Sequence, residues 1–268
     1  QRCLIRAGKT APVQIIVDGS MSNMAALRLS YTASVLERFN REMLGELMGA
    51  RMNYGRIDAR IRAWYNPNVE SQHFFVPGIV AFVIMLISLL LTSIAIIREK
   101  EAGTMEQLIV TPLKPSELIL GKTIPYALLS LLQLTVVSGL AVFWFEIPMV
   151  GSIVLLFLAA CIFLLSTLGI GLFISTVSAT QQQAMMTTFF FILPFFMFSG
   201  FVFPIANMPL PVQWLTYLNP LKYFLIILRG IFLKGVGLDV LWSHYLLMTI
   251  LGGVVFAGAI ARFKKRLD

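Results

Sequence analysis

The apolar and polar positions divide the chain into two regimes. From Phe74 to Ile97 every residue is uncharged and most are apolar. A polar stretch covers 98–122, and a second uncharged run follows from Thr123 to Phe145. Glu146-Ile-Pro-Met makes a tight polar break. Two further apolar runs, Ser152–Val177 and Ala184–Phe203, flank Ser178-Ala-Thr-Gln-Gln-Gln183. Residues 204–239 are mixed and rich in proline and glycine, and Val240–Ala261 is the last apolar run. A bilayer-crossing helix needs about 20 predominantly apolar residues, so these runs predict five membrane spans.

Residues 1–73 follow other periods. Val13-Gln-Ile-Ile-Val17 is β-branched and ends at the turn signal Asp18-Gly19. From Ser22, Leu27, Tyr31, Val35, Phe39, Met43 and Leu47 recur every fourth residue, with Arg28, Glu37, Arg38, Arg41 and Glu42 on the other face. This predicts an amphipathic helix. Ile57, Ala59, Ile61, Ala63 and Tyr65 then alternate with charged residues, as in a half-buried strand. The predicted fold is therefore an all-α polytopic membrane domain at 74–268 preceded by a small α/β domain at 1–73. A strand, a helix and a strand are too little for a complete fold, which leads us to expect an N-terminally incomplete domain.

Composition agrees with the membrane class. The chain is 58% hydrophobic and 13% charged, against about a quarter charged in soluble domains. The net charge of +8 does not point to nucleic acid, because the basic residues sit beside apolar runs and form no separate basic domain. Cys3 and Cys161 lie in different regimes and imply no disulfide framework.

Basic residues concentrate in the cytoplasmic loops of membrane proteins. Arg262, Lys264, Lys265 and Arg266 thus place the C-terminus in the cytoplasm. Counting back five spans puts 98–122 inside, where Arg98, Lys100, Lys114 and Lys122 agree, and puts 1–73 outside. Lys222, Arg229 and Lys234 fall outside, a mild violation. An external domain at the front predicts one more span upstream of Gln1, six in the intact protein.

Ionisable groups are scarce where chemistry would need them. No Lys, Arg, Asp, Glu or His lies between Glu146 and Lys222, and 74–97 and 123–145 are also free of them. Intramembrane ionisable residues are costly and mark proton pathways, so a proton relay is disfavoured. A sodium-coupled carrier built on carbonyls and hydroxyls stays open, as does a membrane sensor or scaffold without transport. Ser116-Glu-Leu-Ile-Leu-Gly-Lys-Thr123 imitates a phosphate-binding loop but lacks its first glycine and a preceding strand. Only His73 and His244 are present, and no metal-ligand spacing or hydrolytic triad can be assembled.

The segment 98–122 is the most distinctive. Its first half, Arg98 to Val110, reads as a charged and then amphipathic helix leaving the membrane, broken by Thr111-Pro112 and Lys114-Pro115, with Ser116 able to cap a short helix into the next span. From the residues alone it is either a solvated connector or a docking element. The run Arg98-Glu-Lys-Glu-Ala-Gly-Thr-Met-Glu-Gln-Leu, with Thr111-Pro-Leu and Leu120-Gly-Lys, resembles the cytoplasmic segment of ABC-2 type permeases. Ser166-Thr-Leu-Gly-Ile-Gly-Leu-Phe-Ile-Ser175, Ser199-Gly-Phe-Val-Phe-Pro204 and Asn219-Pro-Leu-Lys-Tyr-Phe through Gly235 are similar to the same family, in its order. The extracytoplasmic strand–helix–strand region resembles the family's drug-export branch.

The resemblance implies a permease subunit of a bacterial exporter in the inner membrane, paired with a second permease, identical or paralogous. ATP and magnesium would be held by cytoplasmic ATPase subunits, with no cofactor or catalytic site in this chain. A periplasmic adaptor is a candidate partner, and membrane lipids surround the spans. It implies that 98–122 transmits the ATPase movement, with Arg98, Glu99, Glu101, Gly103, Thr104, Glu106 and Pro112 as contact or lever residues. It also implies that 204–239, with Asn219, Pro220 and Arg229, dips into the outer leaflet as short paired helices. Leu221 to Leu233 suits an interfacial helix with snorkelling cations. The expected cargo is amphipathic or apolar compounds, drugs or lipids, because the spans offer no charged site. Phe189, Phe190, Phe196 and Met197 are candidates to line the path, though the same positions suit a lipid-facing aromatic stripe. Gly169, Gly171 and Ser175 are small enough for close helix approach, Pro194 is expected to kink its span, and Gln181, Gln182 and Gln183 read as a polar span end without further role.

Overall fold

The computed structural model describes residues 11–19, 22–47, 57–64, 70–103 and 115–264. It separates into two compact units, Gln1–Phe74 and Phe75–Asp268.

In the first unit, strand β1 (Ala11–Asp18) pairs in parallel with β2 (Ile57–Trp64), from Ala11 opposite Ile57 to Asp18 opposite Trp64. Parallel neighbours need a crossover, and helix α1 (Ser22–Leu47) lies between them in sequence. Val17 and Ala25 are buried, whereas Leu27, Tyr31, Val35 and Phe39 remain exposed. The apolar stripe predicted for this helix is thus left open at those four positions. A 26-residue helix is about 39 Å long, and the eight-residue strands reach only about 26 Å. Arg38–Glu42 and Arg41–Glu37 pair one turn apart on its polar face, at 2.9 and 3.4 Å.

The second unit is helical. Its long helices are α2 (Ser71–Glu101), α3 (Pro115–Phe143), α4 (Ile153–Val177) and α8 (Leu238–Lys264), and between them stand α5 (Gln181–Met197), α6 (Leu210–Thr216) and α7 (Pro220–Arg229). Four helices are long and apolar enough to cross a membrane: Ser71–Glu101, Ile119–Phe143, Ile153–Val177 and Leu238–Arg262. The chain is thus a mostly helical, multi-pass membrane protein.

The apolar run at 184–203 gives a helix of 17 residues, ending at Met197. At 1.5 Å per residue that is about 26 Å, short of a hydrocarbon core of about 30 Å. The run's last third forms a turn instead, in which Gly200 takes φ +83°. α2 ends at Glu101, and the rest of the helix expected to reach Val110 lies, at 104–110, outside the described residues. Ala102 N–H and Gly103 N–H close onto the carbonyls of Arg98 and Lys100, at 3.0 and 3.3 Å, and Gly103 adopts φ +71°. The short helix expected after Ser116 is not separate: α3 starts at Pro115, with Ser116 inside its first turn, and runs unbroken through Lys122 into the apolar run.

Helix α4 is the centre. It is buried along most of its length and packs most extensively on α8. Glycines make that approach possible: a Cβ on Gly169 would lie 2.9 Å from the Phe256 nitrogen, and one on Gly252 2.7 Å from Ser166 Oγ. Gly171 faces Thr92 of α2 at a comparable 2.9 Å. Lipid supplies no hydrophobic force between helices, so close backbone packing of this kind holds them. Gly78 of α2 leaves room for the ring of Phe201. Polar links add to the packing. Gln133 donates to the Val83 carbonyl at 3.1 Å, Tyr245 to the Leu155 carbonyl at 2.8 Å, and the Ser93 and Thr188 hydroxyls lie 3.0 Å apart.

Helix α7 was expected at the interface. It is instead largely buried against α4 and α8, with Phe224 stacked on Phe163 at 4.3 Å between centroids. Its apolar arc meets those helices. A π-turn, Gly230–Lys234, extends it. The carbonyls of Ile231 and Phe232 accept from Gly151 N–H and Val150 N–H, at 2.9 and 3.3 Å. Backbone groups inside a membrane must be satisfied by the protein itself.

Candidate functional site: the charged end of α2

A 31-residue helix is about 46 Å long, so α2 outreaches a hydrocarbon core of about 30 Å. Part of the surplus is its last turn, Arg98-Glu-Lys-Glu101, beyond the apolar run 74–97. Arg98 and Lys100 suit a helix C-terminus, where the backbone dipole favours cations.

Three successive residues of this turn bind other elements. Glu99 pairs with Lys122 of α3, and both side chains are partly shielded, 36% and 19% exposed. Lys100 Nζ donates to the Ser178 carbonyl at 3.5 Å, at the end of α4. Glu101 accepts from the Gln181 N–H at 2.8 Å and from the Gln181 side-chain amide, at the first residue of α5. Those two hydrogen bonds hold its carboxyl below the usual carboxylate range. A carboxylate also suits a helix N-terminus.

The start of α5 is itself built. Thr180 caps it by accepting from Gln183 N–H at 3.2 Å, and the Gln183 side chain accepts from Ala179 N–H at 2.7 Å. This resembles the capping box of Thr-x-x-Gln, with the returning bond made to the residue before the cap. The arrangement ties α3, the α4–α5 corner and α5 to one helical turn, and it holds no group that would cut or form a covalent bond.

Of the residues read from the sequence, Glu99 and Glu101 are brought onto neighbouring helices, Arg98 stays exposed, and Gly103 lies in the closing turn. Thr104, Glu106 and Pro112 lie outside the described residues. Gln181 and Gln183, which look in sequence like a polar span end, also take part. The Thr180-x-x-Gln183 spacing was the available signal.

At the other end of α5, Asn219 precedes α7, with Pro220 buried at its first position. The Asn219 side chain accepts from Leu221 N–H at 3.0 Å and donates to the Phe195 carbonyl at 2.6 Å. Lys222 donates to Thr216 Oγ1 at 3.0 Å and sits 3.8 Å from the centre of the Tyr217 ring. Arg229 stands in the last turn of α7. The four path candidates do not share one surface. Phe189 and Phe190 point outward, 53% and 76% exposed, and Met197 is 38% exposed. Phe196 turns inward, 4.4 Å from Phe82 and 5.1 Å from Phe201 between centroids. A groove of about 230 Å³ runs beside Phe190, Phe191, Phe195 and Asn219. Among the described residues no group of three His, Cys, Asp or Glu side chains comes together.

The family model described as ABC-2 family transporter protein matches residues 4–261. "Probable multidrug ABC transporter permease YbhS" of Escherichia coli (strain K12) is 37% identical over 268 residues, covering 98% of this chain and 70% of that protein. "Probable multidrug ABC transporter permease YbhR" of the same organism is 33% identical over 259 residues, 97% of this chain and 69% of that protein. "ABC transporter G family member 20" of Dictyostelium discoideum is 28% identical over 196 residues, 73% of this chain and 27% of that protein.

Proposed function

The chain belongs to the ABC-2 family of transporter proteins and is the membrane permease subunit of an ATP-binding-cassette exporter; on that premise we propose that the 98–122 segment receives the movement of a partner ATPase. The observation that carries this is the last turn of α2, where Glu99, Lys100 and Glu101 each hold a different element. A push on that turn moves the end of α2, the start of α3 and the corner between α4 and α5 together. Arg98, Gly103, Thr104, Glu106 and Pro112 complete the docking surface. Family membership implies the ATPase partner, and ATP and magnesium belong to that subunit.

The cargo is amphipathic or apolar, drugs or lipids. The names of YbhR and YbhS as multidrug permeases support this, as do apolar runs without a charged site. Phe189, Phe190, Phe196 and Met197 contribute to its path. The protein sits in a bacterial inner membrane with its C-terminus in the cytoplasm, its α/β domain outside, and 204–239, with Asn219, Pro220 and Arg229, toward the outer leaflet. Helix α5 with the turn after it makes a fifth passage, and the intact protein has six. A second permease, identical or paralogous, completes the transporter, and a periplasmic adaptor extends it.

The test is purification of the full-length protein in mild detergent with an assay for co-purifying ATPase, repeated with Glu101→Lys and Glu106→Lys together. The proposal expects an ATPase with the wild type and its loss, or loss of its stimulation by apolar compounds, in the variant. An ATPase that stays fully coupled to the variant removes 98–122 as the receiving element.

A further inference from the structure

Helices α4, α5 and α8 enclose a cleft of about 590 Å³, lined by Ile170, Phe173, Phe191, Val254, Gly258 and Arg262 among others. That volume lies within the range of about 300–1,000 Å³ typical of sites that hold a small organic molecule. Every lining residue but one is apolar, and the exception, Arg262, stands at the end of the membrane-crossing stretch of α8. Its guanidinium lies 5.3 Å from the centre of the Phe173 ring, which pins the charge at the end of the cleft. Among the described residues no carboxylate forms an ion pair with it. The wall on the α8 side is open, with Val254 68% exposed and nothing within 4 Å of a Cβ placed on Gly258.

We infer that this cleft is a binding site for an anionic phospholipid, one acyl chain lying along the apolar wall and the phosphate on Arg262. The site has the two parts such a ligand requires. The apolar length takes the chain without displacing any packed group. A guanidinium forks two donors onto phosphate oxygens. Anionic lipid is enriched in the field of a basic membrane-proximal segment, and Arg262, Lys264, Lys265 and Arg266 cluster at this end of the sequence. The charge favours a lipid over neutral apolar cargo, which gains nothing from a cation at one end. The inference rests on the proposed orientation only for naming the leaflet, the cytoplasmic one.

The test uses the full-length transporter in detergent, equilibrated with equal mole fractions of phosphatidylglycerol and phosphatidylethanolamine, with retained lipid counted by native mass spectrometry. The wild type should retain phosphatidylglycerol in preference. Arg262→Gln should lower that retention about fivefold, the weight of one basic residue at a lipid surface, and leave phosphatidylethanolamine unchanged. Gly258→Leu should fill the cleft and lower retention of both. Arg98→Gln, an exposed cation that does not line the cleft, should change neither. Equal effects of Arg262→Gln and Arg98→Gln would overturn the inference in favour of a general basic surface. So would unchanged retention in Gly258→Leu, with the permease pair intact or separated, the separated case assigning the cleft to a second copy of the chain. ATPase co-purifying in the same preparations reports independently on the transporter reading.

Discussion

Asn219 Nδ2 donates to the carbonyl oxygen of Phe195 at 2.6 Å, so one buried amide joins the end of α5 to the start of α7. The same side chain accepts from Leu221 N–H at 3.0 Å. Loss of a helix cap costs about 1 kcal/mol and an orphaned buried acceptor about 1–3 kcal/mol. Asn219→Ala should therefore destabilise the protein by about 2–4 kcal/mol. Asn219→Ser, which still caps α7, should lose about 1 kcal/mol less. Thermal unfolding in detergent reads both, equal losses would show that the cap on Leu221 N–H contributes nothing, and an Asn219→Ser variant as stable as the wild type would show the same of the tie to Phe195.

Glu99 and Lys122 form the one ion pair described between α2 and α3, and both are partly shielded from solvent. Glu99→Lys or Lys122→Glu alone sets two like charges together and should cost about 1–2 kcal/mol, between the values for exposed and buried pairs. The double exchange should recover most of that loss, as contacting residues do in a double-mutant cycle. Additive losses would mean that the two side chains do not interact in solution.

Gln181→Ala removes the side-chain half of the grip on Glu101 and leaves the backbone half. Transport should fall severalfold while ATP hydrolysis by the partner continues, since the variant loosens α2 from α5 without touching the ATPase. Gln181→Glu, which brings a second carboxylate to Glu101, should be worse. Efflux and hydrolysis measured in the same vesicles separate the two quantities. A parallel fall in both would place the defect in assembly.

Gly169→Ala and Gly253→Ala make a contrast on the two crossing helices. A Cβ at Gly169 would meet the Phe256 backbone at 2.9 Å, while Gly253 faces open space. Overpacking at Gly169 should cost about 1–3 kcal/mol. Alanine at Gly253 should be neutral or stabilise by up to about 1 kcal/mol through helix propensity. Unfolding temperatures of the two variants check the difference in sign.

The long apolar runs at 74–97, 123–145, 152–177 and 240–261 each fall on a long helix, because uncharged length is itself what a bilayer demands. The run at 184–203 extends beyond its helix, which ends at Met197. Phe198-Ser-Gly-Phe-Val-Phe203 carries no charge to mark where the helix stops, and hydropathy does not register that Gly200 turns the backbone to positive φ. The charges at 98–101 were legible as distinctive, but their partners were not. Lys122 lies 23 positions from Glu99, and Gln181 lies 80 from Glu101. A glutamine at a span end looks like any solvated polar residue until the fold places a carboxylate beside it. For α7 the amphipathic period is real, but hydropathy does not tell a lipid interface from a neighbouring helix. The apolar arc faces α4 and α8.

Helix α2 is held near both ends and at Val83, Thr92 and Ser93 between them. Near one end Gly78 seats the ring of Phe201, and at the other Glu99 and Glu101 grip α3 and α5. Gly78 and Glu101 are separated by 23 residues, about 34 Å of unbroken helix. A rod seated at one tip and gripped at the other does not slide along its own length. With Val83, Thr92 and Ser93 also lodged against α3, α4 and α5, load taken up at the charged tip is shared among three neighbours along the helix.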